Sequence, residues 1–202
     1  MFYTAAHIIL KVIFKVFFSL KCEGLHHIPS AGGCVIACNH VSYFDPPAVG
    51  AVSVRPVHFM AKKELFNIPI LSPLISVLGA FPVTRGASDT KAIKHAIRLL
   101  KSGETVGIFP EGTRSATGEI NEGEMGVSLI IKQSGAPIIP CAISGTRCMV
   151  TMKGIIPVFS KVTVRFGPPI FYKNEEEGMS HKEYMRVFTD RVMQVLRSLQ
   201  EG

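Results

Sequence analysis

Tryptophan is absent from this chain, and so is any arginine-rich run or zinc-finger spacing. The five cysteines, Cys22, Cys34, Cys38, Cys141 and Cys148, form no C-x-x-C pair, and their number is odd. That argues against a disulfide framework or a zinc site and for a reducing compartment, with most of the thiols expected as small core residues. Charge is scarce: 18% of residues are charged against 47% hydrophobic, and mean hydropathy is +0.31. Even so, no apolar run approaches the roughly 20 residues that a spanning helix needs. There is no internal repeat, low-complexity tract or interdomain linker. A length of 202 residues is enough for one domain with a sizeable core and short for two. The surplus of apolar residues is therefore expected in a large core and in some surface that faces a membrane.

The charge that is present is lopsided. Formal net charge is +7, a balance that favours polyanions, either nucleic acid or anionic lipid. The basic residues are dispersed and no nucleic-acid-binding motif accompanies them, so no nucleic acid is expected as a partner. A cytosolic protein that happens to be basic is the plainer reading and stays beside that of an anionic-lipid partner. Met1 to Leu20 is strongly apolar, with polar interruptions at His7, Lys11, Lys15 and Ser19, four residues apart. On a helix this spacing makes one slanting polar stripe, with Ile8, Ile9, Val12, Ile13, Phe14, Val16 and Phe17 around the rest. Two lysines beside a wide apolar face suit a helix lying in the lipid interface. A secretory signal would carry its positive charge ahead of the apolar stretch, and a lipoprotein site would want a small residue where Lys21 precedes Cys22. A helix packed on the protein's own core has the same pattern. The expectation is a membrane-interface helix over residues 1–22, a domain over 23–202, and a peripheral or monotopic place on the cytoplasmic face of a cell membrane.

Along the rest of the chain, short apolar strands alternate with amphipathic helices. Strands are expected at Cys34 to Cys38, Pro56 to Met60, Gly79 to Arg85, Thr105 to Phe109, Pro137 to Ile143 and Lys161 to Phe166. Helices are expected from about Ala48, after Pro46-Pro47, and as two short pieces in Lys62 to Leu78, which Pro69 and Pro73 interrupt. Further helices are expected over Ser88 to Lys101, Gly126 to Gln133 and Ser180 to Leu199, the last opening on a capping box. This alternation predicts a single α/β domain, a mostly parallel central sheet flanked by helices. In such sheets sites form at the carboxyl ends of strands, and two motifs fall there.

The first motif is Asn39-His40-Val41-Ser42-Tyr43-Phe44-Asp45. A spacing of five sets two side chains about 140° apart on a regular helix, so His40 and Asp45 meet only if the chain between them turns. In a compact turn Asp45 accepts the Nδ1 proton of His40 and leaves Nε2 as a base. The competing reading makes Asp45 a helix cap and His40 a hydrogen-bonded core residue. The second motif is Phe109-Pro110-Glu111-Gly112-Thr113-Arg114-Ser115. Gly112 lets the backbone approach a ligand, Thr113 offers a hydroxyl, and Arg114 can grip a phosphate with two donors. Here the competing reading is a surface turn with a Glu111–Arg114 salt bridge at its rim. Arg85 is a further cation, at the end of a strand.

In this order the segments resemble the glycerolipid acyltransferase family, the lysophosphatidic acid acyltransferases in particular. Asn39-His40-x-Ser42-x-x-Asp45 is similar to its catalytic block N-H-x-S-x-x-D. Lys63-Glu64-Leu65-Phe66 through Gly79 to Arg85 is similar to a second block ending in a substrate-binding arginine. Phe109 to Ser115 reads F-P-E-G-T-R-S, without a mismatch to the third. Ile139-Pro140-Cys141-Ala142-Ile143-Ser144-Gly145 resembles the fourth. The blocks span about half of the chain. One departure is the run Asn121-Glu122-Gly123-Glu124, acidic where the family often carries a basic residue. The resemblance implies that His40 deprotonates the sn-2 hydroxyl of 1-acylglycerol 3-phosphate (lysophosphatidic acid) for attack on the thioester of acyl-CoA or an acyl carrier protein. It implies Asp45 as the orienting carboxylate, and a phosphate held by Arg85, Gly112, Thr113 and Arg114 on a loop arranged by Glu111. It also implies Pro140 on the acyl-donor side, with no cofactor, no metal and no covalent acyl-enzyme. Cys38, near His40, has no role in it. Glycerol 3-phosphate or another lysolipid as acceptor, and a non-catalytic protein binding anionic lipid at the membrane surface, are the alternatives. Metal-dependent phosphohydrolysis by His and Asp would need further ligand clusters that the sequence lacks.

Overall fold

The computed structural model describes residues 2–84, 89–149, 161–173 and 178–202. Among these, the strands are β1 (Lys21–Glu23), β2 (Cys34–Cys38), β3 (Val57–Lys62), β4 (Phe81–Val83), β5 (Thr105–Ile108), β6 (Ile138–Ser144) and β7 (Thr163–Phe166). The α-helices are α1 (Phe2–Phe17), α2 (Asp45–Val52), α3 (Leu71–Val77), α4 (Thr90–Lys101), α5 (Gly126–Ser134) and α6 (His181–Glu201). The strands form one sheet in the order β1-β7-β6-β2-β5-β3-β4. Every pairing of these strands is parallel except β6 with β7. This is the mostly parallel α/β sheet expected from the alternation of elements.

The central strands are apolar throughout because helices cover both their faces. All five residues of β2 are buried. Val35, Ala37, Val106 and Ile108 point to the side of α4, α5 and α6, where they meet Ala96, Leu100, Ile130, Val192 and Leu196. Cys34, Ile36, Cys38, Phe59, Cys141 and Ile143 point to the other side, against Val49 of α2 and Phe14 of α1. Cys38 and Cys141 stand opposite each other in register. Burial, with Cys38 next to it, pushes the Cys141 thiol well up. Both are core residues.

Caps set the helix ends where sequence placed them. Asp89 accepts hydrogen bonds from the amides of Lys91 and Ala92, and Ser180 with Glu183 closes a reciprocal capping box. One helix start differs from expectation. α2 begins at Asp45 rather than near Ala48, with both prolines inside its first turn, where a missing N–H costs nothing. The interrupted segment before β4 folds as a 3-10 turn, Lys63–Asn67, followed by α3. β1 has no apolar alternation to announce it. It forms by parallel backbone pairing with β7, and beside that ladder the Glu23 carboxylate accepts from Nε of Arg165 at 2.6 Å, with the Lys21 ammonium 2.6 Å from the same carboxylate.

α1 divides its surface. Phe14 on the helix and Phe18 just beyond it are buried in the α2-side core. Ile8, Ile9, Val12, Ile13, Val16 and Phe17 are exposed. No helix among the described residues is long and apolar enough to cross a membrane.

Candidate active site

β2 delivers Asn39 and His40 to the carboxyl end of the sheet, and β5, its parallel neighbour, delivers Phe109 to Ser115 to the same end. Asn39 is fully buried. Its side chain donates to the carbonyl of Ile143 at 3.0 Å and accepts from the Ile143 amide at 2.7 Å. The amide side chain thus continues the β2–β6 ladder for one more rung and fixes where the chain leaves the sheet.

His40 is 6% exposed. Its Nδ1 lies 2.8 Å from Oδ2 of Asp45. A carboxylate only accepts, so Nδ1 carries the proton and Nε2 is the ring's basic nitrogen. The imidazole stacks on Phe109, with centroids 3.9 Å apart, and Phe109 in turn stacks on Phe59. The turn that brings His40 and Asp45 together is held by the carboxylate itself. Oδ2 also accepts from the amides of Val41 and Ser42, each at 2.8 Å. Oδ1 accepts from the hydroxyl of Thr146 at 2.6 Å. Asp45 therefore bonds backward to the loop and across to the end of β6; it does not cap its own helix, although the start of α2 favours its negative charge.

Glu111 is buried and faces inward. Its Oε1 accepts from the amide of His40 at 2.8 Å, and its Oε2 accepts from the amide and side chain of Asn121. The expected alternative, a rim salt bridge to Arg114, does not form. The Ser115 amide donates to the His40 carbonyl at 2.7 Å. Both backbone polar groups of His40 are thus used by the second motif, and the two motifs make one unit.

Gly112, Thr113 and Arg114 form the exposed rim of that unit. Gly112 sits at φ 67°, a left-handed conformation that glycine adopts without strain. The Arg114 guanidinium lies 3.7 Å over the Tyr43 ring and donates to its hydroxyl at 3.0 Å. This cation is tied to the first motif by that stacking. In the acidic run, Glu122 pairs with Arg186 of α6 at 3.1 Å, so its charge turns to that helix and away from the rim.

Two of the residues singled out by sequence stand apart. Arg85 lies outside the described residues. Pro140 is buried within β6, where Gly167 packs on its ring and donates to its carbonyl at 2.8 Å. Its ring lies near Leu199, on the α6 side of the sheet. Thr146 was missed by sequence reasoning; its signal is a hydroxyl one residue past the fourth block. Among the described residues, no group of three or more His, Cys, Asp or Glu is arranged to hold a metal ion.

Residues 19–144 match the protein-family model described as Acyltransferase. The chain is 33% identical over 195 residues, 95% of its length, to the 1-acyl-sn-glycerol-3-phosphate acyltransferase of Bacillus subtilis, covering 93% of that protein. It is 33% identical over 151 residues to the enzyme of the same name from Streptococcus pneumoniae, covering 72% of this chain and 54% of that one. The crystal structure of the 1-acyl-sn-glycerophosphate (LPA) acyltransferase PlsC from Thermotoga maritima superposes with a TM-score of 0.80 at 26% identity, over 98% of this chain and 78% of the other.

Proposed function

This chain belongs to the acyltransferase family, and from that premise we propose that it transfers a fatty acyl group from a thioester to the sn-2 hydroxyl of 1-acylglycerol 3-phosphate, giving phosphatidic acid. The relatives named for this reaction support the acceptor. The observation that carries the chemistry is the His40–Asp45 pair, anchored to the loop of Glu111.

In this reading Nε2 of His40 takes the proton of the sn-2 hydroxyl as its oxygen attacks the thioester carbonyl. Asp45, on Nδ1, stabilises the imidazolium that forms. Collapse of the tetrahedral adduct breaks the C–S bond. The thiolate leaves with the proton that His40 returns, so atoms and charge balance. Such a base contributes about 10²- to 10⁴-fold. The acceptor phosphate sits on the rim of Gly112, Thr113 and Arg114, and Arg85 adds a second cation by the resemblance. Glu111 acts through the backbone of His40. The donor is acyl-CoA or acyl carrier protein, used as a co-substrate, and no step calls for a metal or cofactor. The exposed apolar face of α1 with Lys11 and Lys15 supports a peripheral seat on the cytoplasmic face of an anionic membrane.

The test mixes purified protein with labelled acyl-CoA, or loaded acyl carrier protein in parallel, and 1-acylglycerol 3-phosphate in detergent micelles, beside His40→Ala and a glycerol 3-phosphate control. The expected result is phosphatidic acid from the wild type and a loss of at least about 10²-fold in the folded variant. Product formed equally by His40→Ala would remove the mechanism; product only from glycerol 3-phosphate would change the acceptor.

A further inference from the structure

The connection from β3 to β4 lacks what a water-facing segment ordinarily carries. From Phe66 to Thr84 there is no charged residue, yet neither the 3-10 turn Lys63–Asn67 nor α3 buries a single side chain. Ile70 is 88% exposed, and Ile68, Leu74 and Val77 are each about half exposed. Monomeric proteins rarely leave a contiguous apolar surface uncovered without a partner for it.

Topology says where this surface looks. β2, β3 and β4 are mutually parallel through β5, and the chain moves in one direction across the sheet from β2 to β3 to β4. Right-handed crossovers then put α3 on the face that carries α2, and α1 packs on that same face. The ends agree as well. The 3-10 turn starts at the carboxyl end of β3, the end at which His40 leaves β2. β1 pairs parallel to β7, whose Thr163 lies opposite Ser144 at the carboxyl end of β6, so the C-terminal end of α1 reaches this end too. The exposed faces of α1 and α3 therefore flank the His40 cleft on one side of the sheet. Lys11 and Lys15 accompany the first, and Lys62 and Lys63 accompany the second; all four are exposed.

We propose that α3 and the turn before it form a second lipid-contacting element, inserted beside α1 into an anionic bilayer so that the catalytic cleft opens onto the membrane between two points of contact. The proposal rests on the membrane-surface reading above and gives it an orientation. Its apolar residues enter the interface and its lysines meet anionic headgroups. A single helix holds the domain's orientation only through the width of one apolar face; a second contact across the cleft fixes it more tightly.

Because the chain has no tryptophan, the Ile70→Trp variant carries a unique fluorescent reporter. With vesicles of phosphatidylcholine containing phosphatidylglycerol, the expected result is a blue shift of emission and quenching by brominated acyl chains, both absent with phosphatidylcholine alone. In parallel, the full-length Ile70→Asp/Leu74→Asp variant should sediment with anionic vesicles roughly tenfold more weakly or worse, as the loss of two buried apolar side chains implies. It should lose a similar factor in kcat/KM on vesicle-borne acceptor and stay within about twofold of wild type on a short-chain acceptor below its micellar concentration. No change in the emission of the Ile70→Trp variant, with undiminished sedimentation of the double Asp variant, overturns the proposal. So does a change of oligomeric state by light scattering without a change in vesicle binding, which would make the face a contact between copies. Fluorescence and sedimentation do not depend on turnover, so failure of the proposed reaction would be visible separately.

Discussion

Removing the Thr146 hydroxyl is the sharpest test of how the His40–Asp45 pair, proposed as base and orienting carboxylate, is held. Asp45 accepts four hydrogen bonds: three on Oδ2, from His40 and the amides of Val41 and Ser42, and one on Oδ1, from Thr146 at 2.6 Å. Both Asp45 and Thr146 are fully buried. Thr146→Val keeps the shape and strands Oδ1 without a donor. A hydrogen bond to a buried charge is worth about 1.5–3 kcal/mol. If the imidazolium of the transition state draws on the full set of bonds around Asp45, most of that loss falls on kcat, a decrease of about 10- to 100-fold. KM for the acceptor should stay within about twofold, because Thr146 does not belong to the phosphate rim. Thr146→Ser restores the hydroxyl and should recover most of the rate. In an Asp45→Asn background, Thr146→Val should cost little, since the charge it served is gone. Initial rates on micellar substrate, with circular dichroism to confirm folding, decide the matter. A folded Thr146→Val enzyme with wild-type kcat, or one that loses the same factor in both backgrounds, refutes the reasoning.

Two further outcomes follow from packing and charge. A Cβ on Gly107 would run into the Phe59 ring, and Phe59 backs Phe109, on which His40 stacks. Gly107→Ala should therefore destabilise by about 1–3 kcal/mol through overpacking and lower kcat as well; an unchanged thermal midpoint would show that Phe59 yields without cost. The Glu23 carboxyl is held at about 2 by its bonds to Lys21 and then Arg165, so the fold prefers the charged form. That stability is present above the ordinary carboxylate range and is lost as pH falls toward 2. Wild type should melt above Glu23→Gln at about pH 7, with the gap closing from about pH 4.5 to pH 2; a gap independent of pH would sink the assignment.

The elements that announce themselves by burial are legible in sequence: β2 as an unbroken apolar run, α4 by its periodicity, α6 by its capping box. The elements that were not legible owe their existence to distant partners. β1 is Lys-Cys-Glu, and only its pairing with β7, far along the chain, makes it a strand. α2 starts early because its prolines occupy the one turn where they cost nothing. At the site, the pairing of His40 with Asp45 was open between a base and a cap, since a spacing of five needs a turn that no local rule supplies. The turn is closed by the Asp45 carboxylate on two amides, and the carboxylate is fixed by Thr146, just past another strand. Glu111 is open in sequence between arranging its loop and pairing with Arg114 at the rim; in the fold it turns inward to the His40 amide and to Asn121. Strand alternation places Pro140 in register with Ala37, facing Gly167 and the α6 side.

The stitching of the two motifs also bears on where the rate comes from. The His40 amide bonds to Glu111 and its carbonyl accepts from Ser115, so His40 is tied to the loop that bears Gly112, Thr113 and Arg114. A phosphate seated on that rim would stand at a fixed distance from Nε2, with its glycerol hydroxyl presented to the base. Orientation of this kind supplies up to about 7–11 kcal/mol in favourable cases, more than the proton transfer alone. In the proposed reaction, orientation would then outweigh proton transfer: two parallel strands end side by side, and the buried Glu111 carboxylate ties the His40 backbone to the loop proposed to hold the phosphate.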